Sequence, residues 1–196
     1  MTSPKVSVII PAYNSEKFIL RCLRSIFQNS LNRDEYEIIV INDGSSDKTE
    51  QILDIYRDEI IYIKNKTNQG LPSSLNKGIK NSRGQFIVRV DSDDYVHKDY
   101  LYILMLHLQL NNKIDAIACD YYVVDDIQDK IDYRSYSESP IGCGIMFRSD
   151  QLVDIGMYDK NFMYREDEDL KIRFGKKYKI EYVKIPLYRY HLHGEN

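Results

Sequence analysis

Four short apolar runs, at residues 6–10, 36–41, 60–63 and 85–90, alternate with stretches whose apolar residues recur every three or four positions. That alternation leaves few folds open. Strands this apolar are buried on both faces, and connections this long carry a helix back over the sheet, so neighbouring strands run parallel. The first helical stretch places Phe18, Ile19, Cys22, Leu23, Ile26 and Phe27 on one face, with Asn14 or Ser15 positioned to cap it. A second helix is expected over about 48–57 and a third between Gly70 and Lys80. Further on, the pattern predicts a helix over 97–111, a strand over 116–124, a polar loop or hairpin over 125–140, and a strand in 142–147. A short helix near Gln151, a helix over 166–176 and an extended segment over 181–191 complete the chain. The expectation is one α/β domain with a mostly parallel central sheet flanked by helices on both faces.

Composition narrows the class. Of the 196 residues, 43% are hydrophobic and 29% charged, which is ordinary for a folded globular chain. The net charge of -3 gives no electrostatic reason to expect nucleic acid as a partner. Cys22, Cys119 and Cys143 are widely spaced and form no Cys-x-x-Cys pair, so they read as buried thiols in a reducing compartment. No signal-peptide pattern or membrane-length apolar run is present, and a cytoplasmic location is expected. Lys171, Arg173, Lys176, Lys177 and Lys179 leave peripheral membrane association open, with a solvated helix face the simpler reading.

Chemistry concentrates where strands end. Residues 11–14, 42–47 and 91–94 are polar clusters at the carboxyl ends of expected strands, where open α/β sheets bind ligands. In Asp91-Ser92-Asp93-Asp94 the first and third carboxylates point the same way from an extended chain. Two oxygen donors on one face suit magnesium or manganese, with phosphates and water completing the shell. The competing reading is an acidic turn opening the next helix. Neither a Gly-x-Gly-x-x-Gly fingerprint nor a Gly-Lys-Ser/Thr phosphate loop is present.

Five segments resemble one family. Val6 to Asn14, Asn42-Asp43-Gly44-Ser45-Ser46-Asp47, Asp91-Ser92-Asp93-Asp94, Glu166-Asp167-Glu168-Asp169-Leu170 and Tyr188 to Asn196 are similar, in order, to the inverting family 2 glycosyltransferases of the GT-A fold. The resemblance implies a metal-dependent transfer of a sugar from a nucleotide-diphosphate donor to a hydroxyl of a glycan or lipid-linked acceptor. Pro11, Ala12 and Tyr13 would line the nucleotide site, with Gly70 allowing close backbone approach. Asp43 would accept a hydrogen bond from the base; uracil N3–H suits a carboxylate, though a cytosine amino group would too. Asp93 would hold Mn2+ or Mg2+ directly, and Asp91 the ribose or a metal-bound water. Asp94 is expected to be a helix cap or a supporting group. Asp167 would be the catalytic base beside Glu166, in a run whose alternative is a charged helix N-terminus. His193 occupies the place of a third metal ligand in some relatives; a solvated histidine is the competing reading.

Residues 1–95 are thus expected to form a nucleotide-binding half and 96–196 an acceptor-binding half. The last motif closes at Asn196, whereas relatives often continue, so the acceptor side is expected to be truncated. Two other readings remain. A sugar-nucleotide pyrophosphorylase would carry a glycine-rich loop with Arg and Lys where Pro11-Ala12-Tyr13-Asn14 stands. A nucleotide- or glycan-binding module with a decayed site would not need Asp43, Asp91, Asp93 and Asp167 together.

Overall fold

The computed structural model describes residues 3–126, 130–162 and 164–192. One sheet organises it. Strands β1 (Val6–Ala12), β2 (Tyr36–Asn42), β3 (Ile61–Lys64) and β4 (Phe86–Arg89) are joined by helices α1 (Ile19–Phe27), α2 (Thr49–Asp54) and α3 (Leu71–Lys80). After β4 come β5 (Tyr95–Val96), α4 (Tyr100–Leu110), β6 (Ala116–Val124), β7 (Lys130–Arg134), β8 (Ile145–Arg148), α5 (Ser149–Asp154), α6 (Glu166–Gly175) and β9 (Ile180–His191). The spatial order is β3-β2-β1-β4-β8-β6-β9-β5, with β7 on the side of β6.

Strands β3, β2, β1 and β4 pair in parallel, as do β6 and β9, giving the parallel centre expected of the alternating pattern. Antiparallel pairs enter through β8, β7 and β5. The β1–β2 register matches Ala12 with Asn42, so both strands deliver their following loops to the same edge.

Successive residues of β1 and β2 feed two cores. Val8, Ile10, Ile38 and Val40 face α1 and α4, while Ile9, Ile39 and Ile41 face α3, α5 and α6. Strands covered on both faces have no polar alternation, which is why they read as unbroken apolar runs.

Two local expectations change, and of the loop-or-hairpin alternatives the hairpin holds. Neither Asn14 nor Ser15 caps α1 with its side chain. The Ser15 carbonyl instead accepts the N–H groups of Phe18 and Ile19, freeing both side chains for loop contacts. Helix α4 opens at Tyr100, because residues 95–96 pair with β9 before the helix can start. The polar stretch after Val124 contains β7, which pairs antiparallel with β6 as a hairpin arm.

Candidate active site

Side chains stitch the three strand-end loops together. The Asn14 N–H donates to Ser45 Oγ at 3.0 Å, and Asn14 Oδ1 accepts from the Ser46 N–H at 2.9 Å. The hydroxyls of Ser15 and Ser92 are 2.7 Å apart in a buried contact, tying the loop after β1 to the acidic turn after β4. The sequence clusters at 11–14, 42–47 and 91–94 therefore form one rim.

A cleft of about 690 Å³ opens along it. Pro11, Tyr13, Arg89, Asp91 and Asp93 line it, and Tyr13 is half exposed. Ala12 is buried in the strand behind the wall. Five carboxylates (Glu16, Asp47, Asp91, Asp93 and Asp126) face two cations, Lys17 and Arg89.

Asp43 lies deeper. Its Oδ1 accepts from Asn65 Nδ2 at 2.6 Å and the Gln69 N–H at 2.9 Å, and its Oδ2 from the Gly70 N–H at 2.9 Å. A carboxylate offers about four acceptor positions, so one remains on Oδ2. Gly70 has φ +85°, a left-handed conformation that glycine adopts without cost, and it turns the chain into α3 with its N–H aimed at Asp43. The Asn-Asp-Gly turn and the Gln-Gly entry to α3 are thus one unit.

Of the two readings of Asp94, helix cap or supporting group, the second holds. It is buried, accepting from the Tyr188 hydroxyl at 2.7 Å and the His191 N–H at 2.8 Å. The Tyr188 oxygen in turn accepts the Asp91 N–H at 3.1 Å. Asp94 is therefore a strut that fastens the turn to β9, and the helix-cap reading does not hold. Burial, with the nearby charges of Asp93 and Asp91, pushes its carboxyl well above the usual range. Asp91, Asp94 and the Cys143 thiol bring ligand atoms within 4.8 Å of one another. That trio fits a hard cation poorly: burial pushes the Cys143 thiol well up, keeping it protonated, and Asp94 is already engaged. Asp91 and Asp93 both line the cleft and are the carboxylates that could hold magnesium or manganese there, with both Asp91 oxygens already accepting from Arg89. The three cysteines are free and buried, as expected.

Arg89 joins the two ends of the site. Its guanidinium grips Asp91 with two hydrogen bonds, at 2.6 and 3.0 Å, and reaches Glu166 Oε1 at 3.1 Å. Both Arg89 and Glu166 are nearly buried, with side chains 11% and 8% exposed. Asp167 is more accessible at 25% and pairs with Lys171 at 3.0 Å. A Cβ added at Gly142 would come within 2.4 Å of the Asp167 Cβ, so the 142–144 turn packs directly against the second acidic residue of α6. Sequence reasoning passed over Arg89, although a charge inside an apolar strand must find a partner and could have been flagged on that ground.

His193 lies outside the described residues. His191 is buried, packs its ring on Phe18 at 5.0 Å, and places Nε2 3.1 Å from Asp126 Oδ1.

The family model for Glycosyl transferase family 2 matches residues 7–171. The chain belongs to that family. This family 2 chain is 33% identical over 191 residues to an uncharacterized glycosyltransferase of Rickettsia typhi, covering 88% of the chain and 59% of that protein. It is 40% identical over 100 residues to the poly(ribitol-phosphate) beta-N-acetylglucosaminyltransferase TarS of Staphylococcus aureus, covering 50% of the chain and 18% of TarS. Among solved structures, S. aureus TarS 1-349 in complex with UDP-GlcNAc superposes with a TM-score of 0.84 at 24% identity, over 96% of the chain and 59% of that structure. The mannosyltransferase PcManGT from Pyrobaculum calidifontis, in complex with GDP-Man and Mn2+, gives 0.81 at 16% identity, over 100% of the chain and 59% of that structure. These likenesses establish a single GT-A-like α/β domain. The chain spans 59% and 65% of the lengths of two Rickettsia relatives. No described helix is long and apolar enough to cross a membrane.

Proposed function

We propose that this chain carries the donor-binding and catalytic part of an inverting, metal-dependent glycosyltransferase. It would move a sugar, as a hexosyl- or N-acetylhexosaminyltransferase does, from a UDP-linked donor to a hydroxyl of a glycan or lipid-linked acceptor in surface polysaccharide synthesis. Residues 1–95 would serve the nucleotide and 96–196 the acceptor. The observation that carries the proposal is the charge of the cleft. Five carboxylates against two cations repel a nucleotide diphosphate unless a divalent cation comes with it. Asp93 and Asp91 are the residues that would hold Mn2+ or Mg2+, with His193 a third candidate. The cation would neutralise charge on the departing diphosphate.

The chain's own residues supply the rest. The remaining acceptor position on Asp43 Oδ2 suits an N–H of the nucleobase, which favours uracil, and TarS has been solved with UDP-GlcNAc. Pro11 and Tyr13 would flank that base, with Ala12 and Gly70 shaping the floor. Attack from the face opposite the diphosphate needs a carboxylate to take the acceptor proton. Asp167 fits better than Glu166, because Arg89 holds Glu166 in a buried pair while Asp167 stays accessible. Glu166 would then orient the acceptor edge through Arg89.

A thermal-shift screen of nucleotide sugars with and without manganese tests this reading. Stabilisation grows with ligand concentration over Kd, so a UDP-sugar should raise the midpoint only when manganese is present. A shift of equal size without metal, or none with any nucleotide sugar, would remove the proposal.

A further inference from the structure

A second concavity, of about 480 Å³, lies between α1 and β5. Lys17, Arg21, Arg24 and Lys98 line it, and no carboxylate does. Arg21 and Arg24 lie on the face of α1 opposite its buried Ile19, Cys22, Leu23 and Ile26, with Lys17 in the turn before the helix and Gln28 just after it. This is a local reversal in a chain whose net charge is -3.

The groove has a fixed floor and an open rim. Arg21 donates to the Asp93 carbonyl at 2.6 Å and stacks its guanidinium over the Tyr95 ring at 4.8 Å. Its Nε is buried with no hydrogen-bond partner. Lys17, Arg24 and Lys98 are exposed and form no ion pair with the described residues. Elsewhere, Lys5, Lys64, Lys171 and Lys177 each reach a carboxylate. Clustered cations with no compensating acid raise the local concentration of anions.

Lys17 lines both this groove and the acidic cleft, so the two adjoin at that residue. We propose that the groove between α1 and β5 binds a phosphate-bearing group at one end of the acceptor while its hydroxyl reaches the cleft. A concave site fits a discrete phosphate or diphosphate better than a flat bilayer. Acidic cleft and basic groove would then divide the work, one taking an anion with its cation and the other taking an anion without one. Calling that ligand the acceptor rests on the transferase reading and extends the acceptor side beyond residues 96–196 to Lys17, Arg21 and Arg24; the anion site itself does not rest on it.

Titration calorimetry with sodium pyrophosphate in EDTA at low salt tests the groove while silencing any metal-dependent diphosphate site. Saturable binding is expected, weakened at least tenfold in Arg24→Glu/Lys98→Glu and by a similar factor at high salt. Both positions are exposed and outside the cleft, so the thermal shift with UDP and manganese should match that of the unmodified chain. No saturable binding, or equal binding by the double variant, overturns the proposal. Binding to phosphatidylglycerol vesicles without pyrophosphate binding also overturns it, in favour of a membrane-facing surface. If UDP with manganese fails to stabilise the unmodified chain, the UDP-donor reading falls, while the pyrophosphate result still decides the anion site.

Discussion

Asp167→Asn should lower donor turnover by about 10²–10⁴-fold, the range a positioned general base contributes, while UDP binding stays within about twofold of the unmodified chain. The substitution keeps the shape of the side chain and removes only its capacity to take a proton. The Lys171 pair is weakened as well, and because its side chains are only 18% and 25% exposed the unfolding midpoint is measured alongside to separate folding from chemistry. Packing against Gly142 should survive, since Cβ and Cγ are unchanged. UDP release from the donor picked out by the thermal-shift screen, with water serving as acceptor, is a sufficient assay. Water attacking the anomeric carbon also gives up a proton to the base. An Asn variant that turns over at the normal rate would move the role away from Asp167, with Glu166 the next candidate.

Arg89→Leu should produce the largest loss of stability, about 3–5 kcal/mol, seen as a lower midpoint in urea unfolding. The guanidinium is the shared partner of Asp91 and Glu166, and all three side chains are less than a quarter exposed. Removing it leaves two carboxylates with little water and no counter-charge, which costs far more than the pair contributes when intact. Arg89→Leu/Glu166→Leu should recover part of the loss, because no charge is then stranded at Glu166. Arg89→Lys should fall between, as an ammonium cannot grip Asp91 through two parallel bonds and reach Glu166 as well. A cost below about 1 kcal/mol for Arg89→Leu would mean that the bridge does not form in solution.

The contrast between these residues shows what the sequence could disclose. Strand runs such as 36–41 and turns such as Asn42-Asp43-Gly44 are local signals, set by side-chain period and backbone preference, and the structure places them where the pattern does. The meeting of three loops at one edge also followed from strand direction alone. Asp94 was different. Its partner, the His191 N–H, is 97 positions away, and nothing in Asp91-Ser92-Asp93-Asp94 distinguishes a helix cap from a strut. Ser15 likewise carried a capping signature, yet its hydroxyl meets Ser92 across 77 positions. The accessible Asp167 and the buried Glu166 are adjacent acids in one helical turn, separable only once β4 and Arg89 are in place.

Asp91 and Asp93 are proposed to form a cation-dependent site for the donor diphosphate. Titration calorimetry of UDP into the unmodified chain and into Asp93→Ala, each with manganese and with EDTA, tests it most directly. Asp93 lines the cleft, and the unfolding midpoint of the variant, measured alongside, establishes that it folds as the unmodified chain does. Saturable binding is expected for the unmodified chain with manganese, and none for that chain in EDTA or for Asp93→Ala in either condition. Equal binding by Asp93→Ala, or binding that ignores manganese, would contradict it.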